Sequence, residues 1–88
     1  MKTSKQLERY FKGMANHRRL DILFLISSNE GMTLEAISKE LDCNIKTASE
    51  HTRRLVGAGL LYKKYHGREV EHSLSPFGKM MVKFAKTF

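Results

Sequence analysis

Apolar residues in the first part of the chain recur with a helical period. Four of them fall at i, i+3, i+4 and i+7: Leu7, Tyr10, Phe11 and Met14. This spacing predicts an amphipathic helix of about ten residues, which Gly13 would weaken near its end. Leu20 and residues 22–26 are apolar and cover most of the circumference of a second helix, so we expect that helix to form the centre of the core. Asn16 is a favourable N-cap for it.

Two short helices joined by a tight turn are predicted next. The apolar residues of the first helix are spaced i, i+3, i+7: Leu34, Ile37 and Leu41. Thr33 is its predicted N-cap, and Asn44 caps the second helix after about three turn residues. Residues 57–59, Gly-Ala-Gly, end that second helix in the way a left-handed C-cap would. Consecutive helices with so short a connection indicate a helix-turn-helix.

The second of these helices has two chemically different sides. At 100° per residue, its apolar side carries Ile45, Ala48, Thr52, Leu55 and Val56. Its opposite side and margins carry Lys46, Thr47, Ser49, Glu50, Arg53 and Arg54. The helix therefore presents a polar and largely cationic surface away from the predicted core.

From residue 60 the period changes from 3.6 to 2. Residues 60–65 and 69–74 are extended-type runs on either side of a glycine-containing tip, residues 66–68, which predicts a β-hairpin. Ser75 followed by Pro76 predicts the start of a last helix. The apolar residues of this helix form a seam: Phe77, Met80, Met81, Phe84 and Phe88. The predicted fold is mainly α with a small β-hairpin, a winged helix-turn-helix with a two-stranded antiparallel wing and a C-terminal helix.

The chain has 88 residues and a net charge of +7, so we expect one domain spanning residues 1–88. A chain this short buries too little surface for a deep internal pocket, and it needs a partner subunit or a macromolecular ligand. The net charge is +1 over residues 1–44 and +6 over residues 45–88. A polyanion is the expected partner, with duplex nucleic acid ahead of an anionic membrane surface.

Several classes of protein are excluded by what the sequence lacks. Its apolar runs are too short to span a bilayer, and its polar start has no signal-peptide core, so we expect a cytoplasmic protein. Its single cysteine, Cys43, cannot form an internal disulfide. We find no grouping of nucleophile, base and acid and no phosphate-cradling loop, and we predict neither catalysis nor a cofactor.

Helix-turn-helix and hairpin together predict a DNA-binding surface, because an α-helix fits the major groove and a basic hairpin contacts the backbone or the minor groove. The candidate residues on the helix are Lys46, Thr47, Ser49, Glu50, Arg53 and Arg54. Those on the hairpin are Lys63, Lys64, His66 and Arg68. Lys46 is suited to guanine and Glu50 to the amino group of cytosine, while the arginines are better placed for phosphates.

The stretch from residue 11 to residue 74, about three quarters of the chain, resembles the ArsR-type winged-helix regulators, with the MarR type less close. Residues 14–23 resemble the A-N-P-x-R-L-x-I-L opening of that family, with His17 in place of the proline. Further matches are residues 47–51 and 55–61, which resemble its recognition helix and the L-x-x-A-G-L-V segment, and 67–68 and 73–75, which resemble its wing.

The resemblance implies a homodimeric, sequence-specific repressor assembled through its first and last helices, residues 1–14 and 76–88. The apolar residues available for that contact are Leu7, Tyr10, Phe11, Met14, Phe77, Met80, Met81, Phe84 and Phe88. A two-fold dimer would set two recognition helices about 34 Å apart and bind a pseudo-palindromic duplex. Both familiar metal-sensing positions of the family lack ligands here, since residues 34–38 contain no cysteine and residues 77–88 contain no His, Cys, Asp or Glu.

Two alternatives stay open at this point. A winged helix can also serve as an architectural or protein-interaction module that binds nucleic acid without sequence preference. Cys43 is either a redox switch or, more often for a lone cysteine at a helix junction, a small packing residue. The spacing of His51, His66 and His72 matches no compact metal site, which favours structural or phosphate-facing roles.

Overall fold

The structure, a computed structural model, describes all 88 residues, as five helices and a three-stranded sheet. In chain order these are α1 (Ser4–Met14), α2 (His17–Ser28), β1 (Met32–Thr33), α3 (Leu34–Glu40), α4 (Ile45–Gly57), β2 (Leu61–His66), β3 (Glu69–Leu74) and α5 (Pro76–Ala85). The predicted winged helix-turn-helix is confirmed. None of the helices combines the length and the apolar character that a membrane crossing requires.

The helices begin where local side-chain chemistry can satisfy their first backbone N–H groups. Asn16 Oδ1 accepts from the amides of Arg18 and Arg19, and Asn44 Oδ1 accepts from the amide of Thr47 at 2.8 Å. Thr33 and Ser75 cap α3 and α5 in the same way, as the sequence predicts. The first helix has a further device that the sequence pattern did not predict, a capping box between Thr3 and Gln6.

The sheet has one strand more than the predicted hairpin. Its order is β1-β3-β2, with both pairings antiparallel and Met32 opposite His72. The wing turns through a two-residue loop, Gly67-Arg68, because His66 already pairs with Glu69. Gly67 has φ +64°, a left-handed conformation that glycine adopts at no steric cost, and this explains the glycine at the tip.

The core lies between α2, the helix-turn-helix and the base of the wing. Its fully buried large side chains come from four elements and the segment before β2: Ile22, Leu23, Ile26, Ile37, Leu55, Leu60 and Leu61. The central position predicted for α2 is thus observed. The core fixes α4 and the wing to one scaffold, so their relative positions are set by packing.

Glycines allow the terminal helices to approach this scaffold closely. A Cβ atom at Gly13 would clash with the Cβ of Ala58, so α1 packs against the end of α4 only because residue 13 has no side chain. Similarly, a Cβ atom at Gly78 would clash with the carbonyl oxygen of Leu60. Gly13 therefore serves a packing contact, and α1 continues through it to Met14.

Candidate nucleic-acid interface

The turn of the helix-turn-helix is held by one side-chain hydrogen bond. Ser38 Oγ, on α3, donates to the carbonyl oxygen of Cys43 at 2.6 Å. Asp42 adopts φ +50°, a left-handed conformation that Asp tolerates better than most residues. The thiol of Cys43 is free and the residue is half-buried. This turn fixes the angle between α3 and α4 and hence the direction in which α4 points.

The recognition helix, α4, divides between core and solvent largely as predicted. Ala48, Thr52 and Leu55 are buried. The predicted contact residues are exposed or half-buried: Lys46, Ser49, Arg53 and Arg54 are exposed, whereas Thr47 and Glu50 are half-buried. The prediction for Ile45 is wrong. The helical wheel places Ile45 on the buried apolar side, but its side chain is 47% exposed at the first position of α4. An exposed isoleucine at the start of a recognition helix can contact a thymine methyl group.

Glu50 is engaged by two of the candidate arginines. Its carboxylate accepts from Arg53 Nη2 at 2.5 Å and from Arg54 Nε at 3.0 Å. These hydrogen bonds, from Arg53 first and then Arg54, lower the pKa of Glu50 below its ordinary value. In the free protein Glu50 therefore orients two guanidinium groups and offsets part of their charge.

The wing carries all four of its predicted contact residues on its surface. Lys63, Lys64, His66 and Arg68 are exposed. Because side chains alternate along a strand, Lys63 and Tyr65 share one face of β2 and line a cleft of about 220 Å³ with Ser49 and Arg53 of α4. Lys64 and His66 lie on the opposite face of the strand. The structure thus brings Lys63 toward the recognition helix and leaves Lys64 and His66 on the outer side of the wing.

Two tyrosines of the wing are exposed that were not among the predicted contact residues. Tyr62 is 58% exposed and Tyr65 is 66% exposed. The ammonium group of Lys63 lies 5.7 Å from the centre of the Tyr65 ring. A tyrosine hydroxyl can donate to a phosphate oxygen, and the two tyrosines that flank the lysine pair in β2 are the signal in the sequence.

The three histidines considered as ligands are separated in the fold. His72 is buried, and its Nδ1 donates to the carbonyl oxygen of Met32 at 3.1 Å, which ties β1 to the wing. Burial lowers the pKa of His72, and the nearby charge of Lys63 acts in the same direction. His51 is half-buried beside Arg19, whereas His66 is exposed. No three His, Cys, Asp or Glu side chains come together in a way that could hold a metal ion.

A second surface, formed by α1 and α5, is apolar. Phe11, Met80, Met81 and Phe84 line a shallow depression of about 280 Å³. Met80 is 62% exposed and Phe84 is 54% exposed, and the ring of Phe88 packs edge-on against Phe84 at a centroid distance of 5.3 Å. We call this depression and Phe88 the α1–α5 surface.

The other predicted dimerisation residues differ in exposure. Leu7 and Phe77 are at the margin of exposure, and Met14 is half-buried against the core. Tyr10 requires a correction, because it is buried within the protomer, with its ring 5.0 Å from that of Phe77. The spacing of Tyr10 could not distinguish a side chain that faces its own core from one that faces a partner.

Comparison with known proteins identifies the family. The sequence model of the MarR family matches residues 15–68, which include the helix-turn-helix and most of the wing. The chain belongs to the MarR family. It is a DNA-binding transcription regulator of the winged-helix type. A comparison with curated proteins returns no significant match.

Solved structures similar to this MarR-family chain include regulators from several organisms. HlyU from Vibrio cholerae is 29% identical, with a TM-score of 0.85 over 93% of this chain and 89% of that chain. A second similar structure is the homodimeric winged helix-turn-helix DNA-binding domain of Mb0332 from Mycobacterium bovis, described as a possible ArsR-family regulator. It is 27% identical, with a TM-score of 0.86 over 94% of this chain and 77% of that chain. A MarR regulator from Methanosarcina mazei shares the fold at 16% identity, with a TM-score of 0.77 over 90% and 62%.

Proposed function

We propose that this MarR-family chain is a homodimeric repressor that binds a pseudo-palindromic duplex and blocks access to a promoter. The observation that carries the proposal is the polar face of α4, which stands exposed beside a basic wing on the same rigid scaffold. A helix that presents polar side chains in this way fits the major groove. The proposal extends over the whole chain, residues 1–88, as one DNA-binding domain.

In this proposal the first turns of α4 read bases. Lys46 donates to guanine, Thr47 and Ser49 bond to base edges or phosphates, and Ile45 contacts thymine methyl groups. Arg53 and Arg54, held by Glu50, are oriented toward the phosphate backbone. Where Arg53 and Arg54 leave Glu50 to contact phosphates, the Glu50 carboxylate accepts from the amino group of cytosine.

The wing contributes contacts that do not depend on sequence. Lys63, Lys64, His66 and Arg68 are exposed on a hairpin whose tip extends beyond the core, and they contact the backbone or the minor groove. Tyr62 and Tyr65 add hydroxyl donors on both faces of the same strand.

Dimerisation is assigned to residues 1–14 and 76–88 through the α1–α5 surface. Exposed side chains of the size of Phe11, Met80, Phe84 and Phe88 are costly in water, and a second copy would bury them around a two-fold axis. The homodimeric state of the similar Mycobacterium bovis domain supports this assignment. A two-fold pair of recognition helices about 34 Å apart enters successive major grooves on one side of the duplex.

Selection from a random duplex pool with the purified protein tests the proposal. We expect an enriched motif, bound at least about 10³-fold more tightly than random DNA at moderate salt. The plot of log affinity against log salt should slope by the number of phosphates neutralised, at roughly 0.9 per contact. Enrichment of no motif, with equal affinity for all sequences, would contradict a sequence-specific regulator and favour the architectural alternative.

A further inference from the structure

A group of cations extends beyond the surfaces described so far and shares only Arg54 with them. A groove of about 310 Å³ runs between α1, the first turn of α2 and the end of α4. It is lined by Arg9, Lys12, Arg19 and Arg54 together with the small residues Gly13, Gly57 and Ala58. We call it the α1–α4 groove. Three of its four cations come from the first half of the chain, where the net charge of only +1 gave no indication of them.

Arg19 is held in place at the edge of this groove. Its Nη1 donates to the carbonyl oxygen of Gly13 at 3.0 Å and to that of Lys12 at 3.4 Å. Its Nε donates to Nδ1 of His51, on α4, at 3.4 Å. Nη2 makes no hydrogen bond within the chain, so the guanidinium group is oriented by one side while its other side remains available to an acceptor.

Two of the four cations have no carboxylate partner. Lys12 pairs with Glu8 at 3.5 Å and Arg54 pairs with Glu50, but neither Arg9 nor Arg19 forms an ion pair. The guanidinium group of Arg9 lies 5.9 Å from the centre of the Tyr10 ring, over the turn that ends α4. The positive charge of Arg9 and Arg19 is therefore not neutralised within the protomer.

The positive charge of Arg19 also affects the pKa of His51. Burial is the largest cause that lowers the pKa of His51, and Arg19, Arg18 and Arg54 lower it further by charge repulsion. An anion in the groove would relieve the repulsion among these cations, because each of them would gain a negative neighbour.

The groove also has a definite position relative to the recognition helix. One flank of α4 faces the wing, since Ser49 and Arg53 line the cleft with Lys63. The other flank faces the groove through Arg54 and Gly57, and His51 on that flank accepts from Arg19. A helix in the major groove lies between two phosphate backbones about 12 Å apart, and a wing on one flank leaves the other backbone without a partner.

We propose that the α1–α4 groove binds a phosphate of the DNA backbone on the side of α4 opposite the wing. This inference rests on the proposed function, because it takes α4 to be the helix that enters the major groove. Arginine is suited to the role, since its planar fork donates two parallel hydrogen bonds to a phosphate group. Because the groove is open and joins the exposed face of α4 at Arg54, a backbone phosphate reaches it without any rearrangement of the helices.

The test is a salt titration of DNA binding by Arg9→Ala, with Lys83→Ala as the matched control. Arg9 is exposed and makes no hydrogen bond within the chain, so its removal leaves the fold in place, which circular dichroism checks. Lys83→Ala removes the same charge from an exposed position of α5 that does not line the apolar depression of the α1–α5 surface, and analytical ultracentrifugation checks that both variants keep the oligomeric state of the unmodified protein. We expect the log–log salt slope to fall by about 0.9 for Arg9→Ala, and affinity to fall about fivefold on selected and random duplex alike. Lys83→Ala should leave the slope unchanged.

Ethylation interference locates the contact. Some phosphates, when ethylated, should weaken DNA binding by the unmodified protein but not by the Arg9→Ala variant. These phosphates should lie on the opposite side of the major groove from the phosphates whose effect depends on Arg68. An unchanged slope for Arg9→Ala, or one equal to that of Lys83→Ala, would overturn the proposal. The proposal also fails if inorganic phosphate binds the groove in NMR titration while the DNA slope stays constant, since the groove would then be a small-anion site.

Failure of the proposed function is distinguishable from failure of this inference. If selection enriches no motif but Arg9→Ala still lowers the slope on random duplex, the groove contact stands and sequence-specific regulation fails. If a motif is enriched and the salt slope of Arg9→Ala equals that of the unmodified protein, the proposed function is supported and the proposed groove contact is rejected.

Discussion

The two exposed surfaces of this small protein have opposite chemistry. The surface of α4 and the wing is polar and cationic, and its aromatic residues are tyrosines, which carry a hydroxyl group. The α1–α5 surface exposes phenylalanine and methionine side chains around an almost wholly apolar depression. The first remains well hydrated without a partner, whereas the second exposes apolar area to water until something covers it.

Because their chemistry differs, the two surfaces require different kinds of partner. A cationic surface gains from a polyanion through the release of counterions, and that gain depends on salt. An apolar surface gains from burial, which depends little on salt. The two interactions are therefore separable by experiment, and the following predictions are ordered by the size of the expected effect.

Phe84→Glu has the largest expected effect. It places a carboxylate at the centre of the α1–α5 surface, where a second copy would have to bury it, so we expect monomers by analytical ultracentrifugation. Affinity for the selected duplex should fall by at least about 100-fold, because two half-sites are no longer bound together. Ser28→Glu, at an exposed position of α2, introduces the same charge and should leave the dimer intact. A dimeric Phe84→Glu variant would exclude this surface as the interface.

Lys46→Ala comes next and alters base reading. Loss of a donor to a base edge costs about 1–3 kcal/mol, so we expect at least tenfold weaker binding to the selected duplex and a relaxed preference at one position. Arg54→Ala is the contrasting variant, and it should weaken selected and random duplex alike. Equal losses on both duplexes for Lys46→Ala, measured by fluorescence anisotropy, would remove Lys46 from direct readout.

Glu50→Gln should have a smaller and opposite effect. It removes the carboxylate that offsets Arg53 and Arg54, so random duplex should bind a few-fold more tightly and with a steeper salt dependence. The ratio of specific to random affinity should fall. Glu40→Gln, at an exposed position of α3, neutralises a carboxylate without freeing these arginines and serves as the control. Unchanged binding to random duplex would show that Glu50 does not restrain the arginines.

The smallest effect concerns pH. The pKa of His72 is lowered by folding, so protonation favours the unfolded chain, and the free energy of unfolding should be highest above about pH 6.5 and fall as the pH drops below it. His51 contributes in the same direction. Chemical denaturation at pH 7.5 and pH 5.5 measures this difference, and His72→Asn should reduce it.

The α1–α5 surface provides the contrast for that measurement. Neither α1 nor α5 contains a histidine, so the dimer dissociation constant should not change between pH 7.5 and pH 5.5. A dissociation constant that rises in parallel with the loss of stability would mean that the two surfaces are not independent.

The parts of the fold that depend on local chemistry were predictable from the sequence. Asn16, Thr33, Asn44 and Ser75 cap helices through hydrogen bonds to neighbours two or three residues away, and Gly67 supplies the positive φ of the hairpin tip. Each of these contacts involves residues within a few positions of one another, so the local sequence pattern is enough to predict them.

The features that were missed depend on residues distant in the chain. β1 is only two residues long, and it is a strand because it pairs with β3 around His72, 40 residues away. A helical wheel places Ile45 on the apolar side of α4, because the wheel does not show that the first turn of α4 extends beyond the core. The α1–α4 groove was invisible for the same reason, since Arg9, Arg19 and Arg54 come together only through the packing of three helices.

The central claim is that one dimer places two copies of α4 in successive major grooves of one duplex. The most direct test is the symmetry and stoichiometry of the complex on the selected DNA, from alignment of the selected sequences and from the mass of the complex by light scattering. We predict an inverted repeat with half-site centres about 10 base pairs apart, bound by two chains. A single unrepeated site bound by one chain would contradict the account.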